Sequence, residues 1–222
     1  MDIDEDTPPT FASPPCLMHE LDPAYAGLSS DRSICADVRR WRTSERARLI
    51  AQRLAISPDL RAACEAEIVS RLLAEIGHVR GRVVSVYWPF RGEPDLRPLM
   101  RQIADDGGQC ALPVVVEKGR PLEFRIWRPG DKLIRGIWNI PVPARLVSCT
   151  PDIVVAPVVG FDPSCYRLGY GGGDYDRALG AKAGARRVRG VGFAQSRIRT
   201  IYPQAHDIRM DVVVTESTTD RC

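Results

Sequence analysis

Apolar positions recur at helical spacing from Asp37 onward. In VRRWRTSERARLIAQRL, Ala47, Ile50 and Leu54 fall three or four residues apart amid arginines, which predicts one buried stripe on an otherwise charged helix. Ser57 and Pro58 supply an N-cap and a first-turn proline for a second helix. Its apolar side is the stripe Leu60, Cys64, Ile68, Leu72 and Ile76. After Gly77 the period shortens. RVVSVYWPF (82–90), QCALPVVV (109–116) and LEFRIW (122–127) read as strands, with a helical LRPLMRQIADDG between the first two. DIVVAPVVGF (152–161) is apolar at nearly every position, as a strand covered on both faces must be, and VRGVGFA and MDVVVT resemble it. The alternation predicts an α/β fold: a three-layer α/β/α sandwich around a mostly parallel sheet.

Ahead of this pattern, residues 1–36 are proline-rich and acidic and show no sustained hydrophobic period, so a flexible tail is expected there. Residues 37–218 are expected to form a single domain, and 44% hydrophobic content in a 222-residue chain suffices for a full core. The net charge of +3, with 28 acidic residues among 31 basic ones, lacks the strong basic bias of a nucleic-acid binder. The late basic cluster Lys182, Arg186, Arg187, Arg189, Arg197 and Arg199 reads mainly as a solvated face. Seven cysteines without a CxxC pair suggest neither a disulfide framework nor a zinc cluster, and reduced thiols are expected. No run approaches the roughly 18 apolar residues that span a bilayer. A cytoplasmic monomer without a nucleic-acid or membrane partner is expected.

The stretch RLGYGGGDYDRAL, 167–179, carries the densest chemistry. Open α/β sheets bind ligands beyond the carboxyl ends of their strands. Glycines there can take positive φ and let backbone N–H groups approach an anion, and Arg167 can meet its charge. A glycine turn that merely starts a helix remains the competing reading. Asp176 fits a magnesium ion bridging phosphates, or simply complements the helix dipole. Asp174 fits an N-cap. No GKS or GKT marks a Walker loop, and the segment does not open a chain-initial βαβ unit as a dinucleotide fingerprint does.

FDPSCYRLGYGGGDYDRAL resembles the signature of the 5-formyltetrahydrofolate cyclo-ligase family, roughly FDxxGxRLGxGxGYYDRxL. WNIP (138–141), FRGEPD (90–95) and HDIRMDVVVT (206–215) resemble further family segments in the same order, so the likeness spans residues 40–216. It implies a ligase that uses ATP and Mg2+ to convert 5-formyltetrahydrofolate, a reduced folate, into 5,10-methenyltetrahydrofolate, with ADP and phosphate released. The γ-phosphoryl passes to the formyl oxygen, and the folate's own N10 then attacks the activated carbon. No Ser/His/Asp or Cys/His set is needed, because alignment and charge neutralisation carry the reaction.

By this likeness Arg167, Leu168, Gly169, Tyr170, Gly171, Gly172, Gly173, Asp174 and Tyr175 line the ATP phosphates, with Arg167 and Asp176 as catalytic residues. Asp176 and Asp207 are implied metal ligands. Glu93, Trp138, Tyr170 and Asp174 are implied to face the folate, Glu93 at the pterin edge and Trp138 by stacking. Arg42 and Arg46 occupy the family's Lys-x-x-x-Arg on the first helix, where a solvated helix face is the competing reading. Arginine keeps the lysine's charge but not its compact geometry. Asp174 replaces the family's first tyrosine of YYDR, and Cys165 replaces a glycine. These departures keep an alternative open: a paralogue that binds ATP or a folate-like molecule without this turnover. His206 receives no role.

Overall fold

The computed structural model describes residues 31–180 and 187–222. Most of the expected tail, and Lys182 and Arg186 of the basic cluster, lie outside this range. Helix α1 runs from Asp31 to Leu54, so it starts six residues ahead of the expected boundary. DRSICA holds neither Pro nor Gly, so nothing in it stops the helix. α2 (Pro58–Ile76) starts as predicted: Ser57 is extended and its side chain accepts from Leu60 N, while Gly77 at φ 66 ends the helix.

The buried faces differ from the predicted ones. On α1 the buried residues are Val38, Arg42, Leu49 and Arg53, while Ala47 and Leu54 are exposed. Ala47 and Leu54 therefore mark the side of the helix away from the stripe that is buried, while Ile50 lies between, partly buried against the core of Leu49, Val159, Leu168 and Ile201. On α2 burial is complete only from Ile68 onward, and Leu60 is exposed.

Eight strands form the central sheet in the order β12-β11-β10-β7-β1-β2-β3-β6. They are β1 (Val83–Ser85), β2 (Gln109–Val114), β3 (Glu123–Trp127), β6 (Ser148–Cys149), β7 (Ile153–Pro157), β10 (Arg187–Val191), β11 (Val212–Val214) and β12 (Thr219–Arg221). The five from β11 to β2 are mutually parallel; β12 and β3 join antiparallel, and β6 pairs antiparallel with β3. Strand β7 shows the layering directly. Ile153 and Val155 pack with α2 and with α3 (Arg97–Asp105), through Ile68, Leu72, Leu99 and Ile103. Val154 packs on the opposite face with Ala178 and Leu179 of α4 (Asp174–Gly180). Both faces are covered, as the apolar run required.

Two predicted strands are cut short. RVVSVYWPF leaves the sheet after Ser85, with Arg91 and Gly92 at φ 46 and 73 turning the chain back. DIVVAPVVGF breaks after Pro157, and β8 (Gly160–Phe161) pairs instead with β9 (Arg167–Leu168) in a separate hairpin. The glycine segment therefore follows this hairpin rather than the parallel strand itself. A further hairpin, β4 (Leu133–Arg135) with β5 (Pro141–Pro143), carries Trp138 at its turn.

The cysteine expectation needs correction. Cys165 and Cys222 form a disulfide, 57 residues apart in sequence. Spacing gives no hint of it, because only the β11–β12 pairing returns the chain end to the β8–β9 hairpin. Cys165 also takes φ 60, the left-handed region that suits the glycine of the resembled signature. Among the described cysteines, Cys35, Cys64 and Cys110 stay as thiols. Peptide mapping under non-reducing conditions should recover the Cys165 and Cys222 peptides joined, and Cys222→Ser should lower stability by about 2–4 kcal/mol in urea unfolding. Separate peptides and an unchanged midpoint would remove the bond.

Candidate functional site

The buried stripe of α1 is built on two arginines. Arg42 donates from Nε to Ile201 O (2.9 Å), from Nη2 to Tyr202 O (2.8 Å), and with its fork to Asp207 Oδ2 and Oδ1 (2.5 and 3.2 Å). Asp207 Oδ2 also accepts from Gln204 N at 2.6 Å. Burial pushes the Asp207 carboxyl up, but Arg42 and the Gln204 N–H outweigh it and hold it below the usual carboxylate range. Arg53, only 4% exposed, donates to Arg91 O (3.1 Å), Val158 O (3.3 Å) and the Tyr170 hydroxyl (2.6 Å).

Arg46, between them, reaches the glycine segment and donates from Nε to Gly169 O at 2.7 Å. Its guanidinium carbon lies 3.3 Å from where a Cβ on Gly171 would stand. Burial, then the neighbouring Arg42, lowers its pKa, and among the described residues it forms no ion pair. Gly171 and Gly173 take φ 94 and 66, whereas Gly172 is not in the left-handed region. Leu168 turns its side chain into a small core with Leu49, Val159 and Ile201, so only its backbone faces the segment.

Two acids of the signature are already matched. Asp176 Oδ1 accepts from Arg167 Nη2 (2.6 Å) and from Ile208 N (3.0 Å). Arg167 is nearly fully buried and lies over the Tyr175 ring. Asp174 accepts from Arg177 Nη2 at 2.7 Å, and the same nitrogen holds Gly172 O at 2.6 Å. His206 is exposed, with its Nε2 3.8 Å from Asp207 Oδ1.

Glu93 comes to the glycine segment from the other side. It is 4% exposed; its Oε2 accepts from Phe90 N (2.9 Å), and its Oε1 accepts from the Tyr170 hydroxyl (3.0 Å). Burial raises its carboxyl to about 7, against the opposing pull of Arg53 and the two hydrogen bonds. Tyr175 lies near enough to feel Glu93's charge, and its buried hydroxyl has no hydrogen-bond partner among the described residues. Trp138 is half exposed at φ 56, followed by Asn139 at φ 63. A bulky residue held there stores about 1–3 kcal/mol, which singles out this turn. No ring contact or hydrogen bond joins its indole to Glu93 or to the glycines among the described residues.

Three arginines (42, 46, 167) stand against two carboxylates (176, 207), which leaves the cluster positive. Among the described residues no group of three or more His, Cys, Asp or Glu gathers as metal ligands. Such a cluster attracts an anion and repels a bare divalent ion. These residues fit a phosphate chain and do not fit a resident metal ion. A separate cleft of about 400 Å3, lined by Val116, Leu122, Phe124, Ser148 and Ala178 among others, shares α4 with the site but none of the predicted residues.

The 5-formyltetrahydrofolate cyclo-ligase family model matches residues 38–216. The chain belongs to that family. Its curated relatives include the 5-formyltetrahydrofolate cyclo-ligase of Escherichia coli K12, 28% identical over 174 residues, which span 75% of this chain and 95% of that protein. The Mycolicibacterium smegmatis cyclo-ligase is 30% identical over 146 residues, 62% of this chain and 75% of that protein. The NMR structure of Aquifex aeolicus 5,10-methenyltetrahydrofolate synthetase superposes with a TM-score of 0.70 at 27% identity, covering 81% of this chain and 92% of that one. The Mycoplasma pneumoniae synthetase shares the fold at TM-score 0.63 and 17% identity, over 79% and 98% of the two chains. Membership makes this chain a ligase with a folate substrate. Among the described residues, no helix is long and apolar enough to cross a membrane.

Sequence reasoning missed Arg53, Arg61 and Arg177. Arg61 holds Gly92 O (2.6 Å) and Arg53 O (2.5 Å), so it braces the loop that carries Glu93. Arg53 had a legible signal, since it falls four residues after Leu49 and eleven after Arg42.

Glu93 gives a pH prediction with a definite sign. With its folded value near 7 and an unfolded value near 4.3, the folded chain holds the extra proton between the two. Stability therefore falls as pH rises through this window. Glu93→Gln should flatten the dependence of Tm between pH 5 and 8 and gain up to about 3 kcal/mol on the wild type at pH 8. Parallel profiles would refute the assignment. Gly171→Ala forces a Cβ into the left-handed region beside Arg46 and should cost about 1–2 kcal/mol in chemical unfolding, where no loss would contradict the backbone described.

Proposed function

We propose that this chain converts 5-formyltetrahydrofolate into 5,10-methenyltetrahydrofolate with ATP and Mg2+. The formyl oxygen takes the γ-phosphoryl group and ADP leaves. The folate N10 then attacks the activated carbon, and inorganic phosphate departs. One contact carries this reading: the Tyr170 hydroxyl, on the glycine segment, lies 3.0 Å from Glu93 Oε1. The implied nucleotide segment and the implied folate carboxylate thus belong to one site, although 77 residues separate them.

On this reading the residues divide the work by what they are still free to do. Arg46, unpaired and bound to Gly169 O, supplies the cation at the phosphates, and the backbone N–H groups of 169–173 supply the donors. Arg42 has spent its fork on Asp207 and two carbonyls, so we assign the pair to shaping the loop 201–207. Arg167 and Asp176 orient each other at the base of the segment. Magnesium enters as the counter-ion of the nucleotide. Glu93 accepts the pterin edge, and Trp138, held strained and exposed, offers its face for stacking.

The departure at Asp174 does not favour the binding-only alternative. Its charge is cancelled by Arg177 at 2.7 Å, so it brings no net negative charge to the phosphates. An absorbance assay for the methenyl product should show turnover that requires both ATP and Mg2+. Arg46→Ala should raise the KM for ATP at least tenfold, and Asp176→Ala should reduce kcat by about two orders of magnitude. Tight binding of both ligands without any product would instead establish the non-catalytic paralogue.

A further inference from the structure

We propose that Arg53 is a positioning residue for the folate site: acting through the Tyr170 hydroxyl, it fixes the carboxylate of Glu93 in the orientation that receives the substrate. The inference rests on the functional reading above and adds to it a residue that the resembled motifs do not include.

Arg53 is a buried cation with no carboxylate in ion-pair range among the described residues; its donors go to two backbone carbonyls and one hydroxyl. Burying such a charge is expensive unless it is used. What faces it is the Tyr170 oxygen at 2.6 Å. Because a guanidinium only donates, that oxygen must accept, and the tyrosine proton has to point elsewhere. Two acceptors are in reach: Glu93 Oε1 at 3.0 Å and Phe90 O at 3.4 Å. The contact to Glu93 Oε1 lies in the normal hydrogen-bond range, while 3.4 Å to Phe90 O is marginal, so the proton goes to Glu93. The chain of donation therefore has one direction, from Arg53 to Tyr170 to Glu93.

The other Glu93 oxygen receives Phe90 N at 2.9 Å, so each carboxylate oxygen has one fixed donor and keeps lone-pair capacity for a ligand. Arg53 also holds the backbone of that loop at Arg91 O, while Arg61 bonds both Gly92 O and Arg53 O. One side chain thus sets both the backbone and, through Tyr170, the rotamer of Glu93. The Tyr170 ring is held in turn, edge-on to Phe90 at 5.7 Å and under the Arg53 guanidinium at 5.8 Å.

The test measures 5-formyltetrahydrofolate binding by calorimetry and the separate KM values for folate and ATP, in the full chain. Tyr170→Phe removes the relaying hydroxyl while keeping the ring and the backbone donors, and should weaken folate binding about tenfold, with the KM for ATP within twofold of wild type. Arg53→Lys should recover part of what Arg53→Met loses, because an ammonium still donates to the hydroxyl. Tyr170→Phe combined with Glu93→Gln should bind folate no worse than Glu93→Gln alone, since both act through one carboxylate. If Glu93→Gln loses folate while Tyr170→Phe keeps it, the positioning role is wrong and the functional reading stands. If wild type binds no folate, or Glu93→Gln binds it normally, the functional reading itself falls. Thermal melts accompany each variant; should both Arg53 variants unfold, Tyr170→Phe and the double variant decide the matter alone.

Discussion

The structure depends on arginines that face inward from a single helix. α1 buries Arg42 and Arg53 on the same stripe as Val38 and Leu49, and their guanidinium groups end on carbonyls of chain segments far apart in sequence. A buried loop carries backbone groups that no ladder satisfies. Here the helix supplies the missing donors, and a planar fork can serve several carbonyls at once where an ammonium could not. The segments so held are 201–207, 90–93 and the turn at Val158. They frame the glycine segment, whose own carbonyl at Gly169 is taken by Arg46.

This arrangement separates charges that share a motif. Arg42 and Arg46 stand one turn apart, yet Arg42 is spent on Asp207 and Arg46 has no ion-pair partner among the described residues. Asp174 and Asp176 stand two residues apart, yet they pair with different arginines, Arg177 and Arg167. Each acid arrives with a neutralising partner, so what remains over at the glycines is positive. That excess suits a polyanion, such as the nucleotide phosphates of the function proposed above. Glu93 is the exception. Its burial raises it toward neutrality, and only Arg53 among its named neighbours is charged to oppose that.

Strain marks the same region. Arg91, Trp138, Cys165 and Tyr202 all take positive φ without being glycine, and three of them are tied to described contacts of the site or its frame. Arg91 O is held by Arg53, Tyr202 O by Arg42, and Cys165 by its bond to Cys222. Conformations of this kind persist where surrounding contacts over-determine them. At Cys165 the covalent link stands in for the freedom a glycine would have had.

The sequence alone determined the layered α/β architecture, because period-3.6 and near-continuous apolar runs leave few ways to cover a sheet on both faces. Its motifs also marked the glycine segment, Glu93, Arg46 and the family. It misjudged α1: of Ala47, Ile50 and Leu54, only Ile50 is even partly buried, and the true stripe hid behind arginines that read as solvated. Periodicity weighs a side chain by its polarity, whereas burial of an arginine is decided by whether carbonyls wait for it, and those come from residues 38 to 160 positions away. The pairing of Cys165 with Cys222, the capture of Asp207 by Arg42 and the meeting of Tyr170 with Glu93 were likewise settled only in three dimensions. Each is a contact between distant segments, and no local spacing encodes it.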